Sequence, residues 1–294
     1  MTAIRTVEFG VGRDMDGEAA YTLVSVDEEV QSALREMVEA TISQLDELEP
    51  DRFNPAEKYA SRDHVWLPLE DELAARIRTL HEAANLATEA SAVDRPGEID
   101  HYFVRLTDRD GRVLTAVRRA AQFKGVLRSR LIRLVSDSLR MVEDDVFKLD
   151  QDFDLITDGD EVHVLRPTSF EFLGQLQDAI LAAVPANVVE LQKQLSYVDF
   201  SPIEEYSSHH PRAARYIASI RAQGGLTGID RDALVRLCEV TNVNVENSDE
   251  HVVVGDHDVM GFLEVLDRRR YEIELVLGSP EHFKASSRSR LQEP

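Results

Sequence analysis

Short runs of interspersed apolar and polar positions over residues 2–9 and 21–26 predict two strands around a turn rich in Gly and Asp. From Asp27 the period lengthens to that of a helix. Glu28 and Glu29 suit its N-terminal dipole, and Leu34, Met37, Val38, Ile42, Leu45 and Leu48 form its apolar stripe until Pro50 and Pro55 end it. A short run over 64–69 precedes a second predicted helix over 70–90, with Leu73, Ile77, Leu80, Ala84 and Leu86 facing inward. The stretch SAVDRPGEID, 91–100, combines Pro-Gly with charge and is the best linker in the chain. It divides the sequence into an N-terminal strand-and-helix region over 1–95 and an α/β domain over 96–285, followed by a loose tail over 286–294.

Within the second region, 99–107 and 112–119 read as strands joined through Asp110-Gly111, a strong hairpin signal. From Leu127 a helical period predicts an apolar flank of Leu127, Leu131, Leu134, Val135, Leu139 and Val142, with Arg130, Arg133 and Arg140 opposite. Short strands follow over 153–156 and 161–165 around Asp158-Gly159. Thr168 and Glu171 then have the spacing of a capping box at the start of a helix reaching 184. Further helices are expected over 188–195, from Pro211 to 222, from Asp230 to 238 and over 256–266, with strands over 252–254 and 271–277. The pattern predicts an α+β or mixed α/β fold, with an antiparallel-rich sheet and interspersed helices.

Charge changes the picture. The formal net charge is -22, with 55 acids against 33 basic residues, and only five of the latter are lysines. That balance resembles adaptation to a salt-rich cytoplasm, or else an Arg-preferring genome with an unusually acidic surface. Against it stands the window from Arg112 to Arg140, which holds seven arginines and one lysine but a single acid, Asp137. A positive strip in a negative protein steers a polyanion to one place. The nucleic-acid-binding candidates are therefore Arg118, Arg119, Lys124, Arg128, Arg130, Arg133 and Arg140. Guanidinium forks on phosphates would hold DNA or RNA without reading its bases. A protein-binding surface or inter-subunit ion pairs are the other readings of the same window.

Signs of catalysis are weak. Asp150, Asp152, Asp154, Asp158, Asp160 and Glu161 form the densest carboxylate group, and a metal-dependent nuclease using Asp152–Glu161 is the enzymatic alternative. The plainer expectation is a solvated edge strand, Asp152 and Asp154 alternating with Phe153 and Leu155, followed by an acidic turn. His209, His210, His251 and His257 fit loops and helix starts, and Cys238 fits a helix core position, so no metal or cofactor is expected. The phosphate-loop, dinucleotide and nucleophile-elbow motifs do not occur, and GGLTG reads as a helix-breaking loop. The N-terminus has no basic-then-apolar leader and no apolar run reaches a membrane-spanning length, so a soluble intracellular chain is expected.

From the basic strand through FKLDQDFDLITDGDEVHVLRPTSFEFLG to RRRYEIELV, over about 100–285, the chain resembles the KwaB family of the Kiwa anti-phage defence system. The shared order is a strand with a basic end (Arg118, Arg119), then Phe153-Asp154, Asp158-Gly159, Phe170-Glu171 and a late strand at Tyr271. The resemblance implies a non-catalytic effector that binds duplex DNA and obstructs phage replication or transcription. It also implies homo-oligomerisation and recruitment beneath the membrane by a membrane-embedded sensor of the same system. The chain departs from this picture in its acidity, which repels DNA everywhere except at the basic window.

Overall fold

The computed structural model describes residues 4–15, 18–46, 50–60, 63–93, 98–120, 132–135, 138–141, 149–224, 226, 228–248 and 251–285. The chain divides into two compact units, the first comprising Met1–Phe53 and Tyr59–Leu176 and the second Asn54–Lys58 and Gln177–Pro294.

The first unit runs β1 (Ile4–Met15), β2 (Glu18–Val24), α1 (Glu28–Asp46), β3 (Asp51–Arg52), β4 (Val65–Pro68), α2 (Ala75–Glu82), β5 (His101–Asp108) and β6 (Val113–Arg119). It continues with β7 (Ile132–Val135), β8 (Ser138–Met141), β9 (Leu155–Thr157), β10 (Glu161–Val164) and α3 (Pro167–Leu173). Eight strands form one sheet in the order β2-β1-β5-β6-β9-β10-β4-β3, and only β3 and β4 pair in parallel. The fold is thus mixed α/β with an antiparallel-rich sheet and interspersed helices.

Burial explains the arrangement. Leu34, Met37 and Val38 of α1 pack with Phe9 and Val11 of β1 and with Tyr102, Val104 and Leu106 of β5 in one apolar cluster. Each large side chain removed from water contributes roughly 1.5–3 kcal/mol. Ile42 and Leu45, also predicted on that stripe, are half-buried at its end, and Leu48 lies outside the described residues. The Asp110-Gly111 turn joins β5 to β6 as predicted: Gly111 has φ 81°, and Asp108 accepts the backbone N–H groups of Asp110 and Arg112.

Several expectations are corrected. The sheet crosses the division at 95/96, because β1 pairs along its length with β5. The helix predicted over 70–90 is confined to α2, after a short 3₁₀ turn at Glu72–Ala74. Asn85 takes φ 56°, and residues 87 and 89 exchange backbone hydrogen bonds with Leu23 on the outer strand β2. Covering that sheet edge outweighs helix continuation. Residue 166, not Thr168, occupies the cap position of α3, and Pro167 opens the helix without a side-chain cap. Gln175, at φ 53°, stops it well short of 184.

The largest correction concerns the helix predicted from Leu127. Where this stretch is described, it is the antiparallel hairpin β7–β8, with Leu134 opposite Leu139 and Arg133 opposite Arg140. Short apolar runs fit either period, and here Ile132/Leu134 and Leu139/Met141 alternate along two facing strands. The remaining positions of the predicted helix, 127–131, 136–137 and 142, lie outside the described residues.

The second unit holds α4 (Gln177–Ala182), α5 (Val184–Gln194), α6 (Ser201–Ser207), α7 (Pro211–Gln223), α8 (Arg231–Val240), β11 (Val245–Asn247), β12 (Val252–Val254), α9 (Val259–Leu266), β13 (Arg270–Val276) and β14 (Ser279–Lys284). Asp230 caps α8 by accepting the N–H of Ala233, as the sequence predicts, and Gly224 closes α7 in the left-handed conformation at φ 59°. Cys238 is fully buried on α8, and burial pushes its thiol up to about 12, the behaviour of a core residue rather than a reactive one. Among the described residues no single helix is long and apolar enough to cross a membrane.

Candidate nucleic-acid interface

Strand β6 ends at Arg119 and its neighbour β9 begins at Leu155, so the part of the basic window beyond Arg119 falls in the connection between two adjacent strands. The described residues at both ends of that connection meet in one charged network. Arg118 is buried, and its guanidinium lies 3.2 Å from Asp150, 2.9 Å from Asp152 and 2.9 Å from Asp154. Arg166, just before α3, donates through Nη2 to both oxygens of Asp152 at 2.8 and 2.9 Å, and through Nη1 to Asp154 at 3.2 Å. The backbone N–H of Arg119 donates to Asp154 Oδ2 at 2.8 Å. Three carboxylates and two guanidiniums therefore fasten the outgoing strand to the returning one.

Neighbouring elements complete the network. Tyr102 on β5 donates its hydroxyl to Asp150 and accepts the Asp150 backbone N–H. From the last turns of α1, Gln44 donates to Asp152 at 3.0 Å, and Thr41 accepts the Phe153 backbone N–H at 2.9 Å while donating to Met37. Burial alone would raise the Asp152 carboxyl, but donation from Arg166 and Gln44 holds it below the usual carboxylate range. The opposite balance acts on Arg166: burial favours its neutral form, and the contacts with Asp152 outweigh it, so its pKa rises.

The network corrects the reading of the acidic cluster. β9 lies between β6 and β10 rather than at an edge, and Asp154 is 2% exposed. Only the second half of the cluster is a solvated turn, in which Asp158 Oδ1 accepts the N–H groups of Asp160 and Glu161 and Gly159 takes φ 107°. Among the described residues no three His, Cys, Asp or Glu side chains are grouped to hold a metal ion. The positions cations would take beside Asp152 and Asp154 are filled by two guanidiniums. The sequence does contain a trace of this arrangement: Asp150, Asp152 and Asp154 share one parity, opposite to Phe153 and Leu155.

The predicted phosphate contacts fall into four groups. Arg118 is committed to carboxylates and acts as an anchor. Arg119 is half-exposed, its guanidinium carbon 3.8 Å from the ring centre of Phe172, which is itself 42% exposed and was not singled out by sequence. Arg133 and Arg140 are direct cross-strand partners on β7–β8. Lys124, Arg128 and Arg130 lie outside the described residues.

His101, the cross-strand partner of Arg119, carries a pH-dependent consequence. Burial first, and the Arg76 guanidinium second, push its imidazole from an ordinary 6.5 down to about 4. As pH falls through 6.5 the unfolded chain gains a proton that the folded chain refuses until near 4. The folded state is thus most favoured above that window and loses on the order of 3 kcal/mol across it. Urea unfolding of the wild type and His101→Asn at several pH values should give the wild type the steeper decline. Parallel declines would assign the acid sensitivity to other groups, His81 among them, since burial lowers its pKa too.

The described residues thus show an eight-stranded, antiparallel-rich sheet in which two adjacent central strands, β6 and β9, are fastened by a buried charged network. Residues 97–275, more than half of the chain, match the family described as Kiwa protein KwaB-like, and the chain belongs to that family. Membership supports a general role in anti-phage defence. No curated protein matches the chain. No solved structure matches it either.

Proposed function

We propose that the chain is a non-catalytic defence effector that binds duplex DNA through its phosphates and so obstructs replication or transcription of phage DNA. The observation that carries this reading is the pairing of Arg133 with Arg140 across β7–β8, within the basic window of a chain of net charge -22. Like charges directly opposite on a hairpin are destabilising, and a phosphate backbone laid along them relieves the repulsion. The buried network supports the reading by joining the strand end at Arg118 and Arg119 to Asp150, Asp152 and Asp154, where the chain returns to the sheet, and Arg119, Lys124, Arg128, Arg130, Arg133 and Arg140 are the proposed phosphate contacts. Arg118 contributes as the anchor of that junction, not as a phosphate ligand.

A net charge of -22 disfavours DNA over most of the surface, and a single basic strip binds weakly when salt is high. Self-association that aligns several windows would compensate through effective concentration. Homo-oligomerisation therefore belongs to the proposal, as does recruitment by a membrane-embedded sensor of the same defence system.

Incubating labelled duplexes of unrelated sequence with the full chain, with and without Mg²⁺ or Mn²⁺, tests the function. Retarded, intact duplex is expected in every lane, with similar affinity for each sequence. Metal-dependent fragments would replace the binding role by nuclease activity, and neither retardation nor fragments would leave a protein-interaction role.

A further inference from the structure

The second unit carries a cleft of about 440 Å³ beside α6, α7 and α9, lined in part by Tyr206, His210, Arg212, His257, Glu264 and Lys284. Its floor is Glu264, a carboxylate only 2% exposed. Arg270 donates through Nε to Glu264 Oε2 at 3.0 Å and through Nη1 to the Thr241 carbonyl at 2.8 Å. Its guanidinium lies against Gly261, where an added Cβ would come within 3.2 Å of Nη2. Arg270, its side chain 21% exposed, therefore supplies a hydrogen-bonded counterion for the one negative charge of the buried Glu264.

Two further cations converge on the same carboxylate. Lys284 Nζ lies 2.7 Å from Glu264 Oε1 with its side chain 56% exposed, and Arg212 Nη2 lies 3.9 Å away with its side chain 73% exposed. One carboxylate does not need three cations. Asp258 also lines the cleft and offsets one of them, and its Oδ2 accepts from Asn244 at 3.1 Å. Counting Arg212, Arg270 and Lys284 against Glu264 and Asp258, the lining keeps a positive surplus in a chain of net charge -22. Arg212 and Lys284, with side chains 73% and 56% exposed, are the cations an anion in the cleft would meet, while Arg270 stays on Glu264 Oε2.

Size and shape narrow the ligand. The cleft falls within the volume range of organic ligand sites and greatly exceeds what an inorganic anion fills. Along it, Tyr206 and His210 stack with centroids 3.9 Å apart and planes 8° from parallel, and the His210 Nδ1 is fixed against the Tyr206 carbonyl at 2.6 Å. A flat, rigid aromatic wall beside mobile cations suits a planar ring joined to a phosphate. We propose that this cleft binds a small phosphate ester bearing a planar ring, of mononucleotide size.

Calorimetric titration of the full chain with a purine nucleoside 5′-monophosphate, the parent nucleoside and inorganic phosphate tests the assignment. The nucleotide is expected to bind with a Kd of about 1 mM or tighter, and the other two at least about tenfold more weakly. Arg212→Gln/Lys284→Gln should weaken nucleotide binding by about tenfold or more; because Lys284 also bonds the buried Glu264, its melting midpoint is expected to fall, and binding is measured below it. Arg212→Gln alone, at a mostly exposed side chain, should give a smaller loss in the same direction and serves if the double variant does not fold. Nucleotide heats absent in that range, a nucleoside as tight as its nucleotide, or variants that bind like the wild type would each overturn the site. Displacement of the nucleotide by duplex DNA would also overturn it, since the cleft would then be part of a polynucleotide surface.

Discussion

Asp154→Ala is expected to destabilise the first unit by about 3–5 kcal/mol, the cost of breaking a buried ion pair from one side. The side chain is 2% exposed, and Arg118, Arg166 and the Arg119 backbone N–H all converge on its two oxygens. Removing it leaves the Arg119 N–H without its acceptor and two guanidiniums sharing the remaining carboxylates, Asp150 and Asp152. A loss of that size is a large part of the stability of an ordinary domain. Asp154→Asn keeps an oxygen for the N–H but loses the charge, so it should fall between the wild type and the alanine variant. Urea unfolding followed by tryptophan fluorescence measures this, because the single tryptophan, Trp66, lies on β4 of the same sheet. A change below about 1 kcal/mol for the alanine variant would mean that the network holds neither end of the basic window.

How much of this was legible in the sequence depended on the reach of each interaction. The β5–β6 hairpin was readable because Asp110-Gly111 specifies its turn locally and each strand alternates on its own. The Asp230 cap and the apolar stripe of α1 were readable for the same reason. The sequence predicts a helix over β7–β8 because four-residue segments such as IRLV and SLRM fit both periods, and only the facing strand decides between them. The sequence predicts Asp152 and Asp154 as solvent-facing because their partners are distant: Arg118 lies 34 residues before Asp152. Acidic residues are rarely buried unless paired, and nothing local announces the pair. Phe172 went unremarked because its interest lies wholly in Arg119 stacking on it from another element.

Replacing Lys124, Arg128, Arg130, Arg133 and Arg140 together by glutamine is expected to weaken duplex binding by two orders of magnitude or more near physiological salt. The loss should be similar for unrelated sequences, since phosphate contacts carry no base information. Folding should survive, because the anchoring network of Arg118 and Arg166 with the three aspartates is untouched. Five glutamines at Arg5, Arg52, Arg109, Lys193 and Arg236, all exposed and outside the window, change the net charge equally and control for the loss of general attraction. The slope of log affinity against log salt, compared for wild type, window variant and control, tests the central claim most directly. The window variant should flatten that slope by roughly 0.9 for each phosphate it no longer neutralises, while the control stays near the wild type. A window variant with the wild-type slope and affinity, or a control that weakens as much, would contradict the assignment of DNA binding to the basic window.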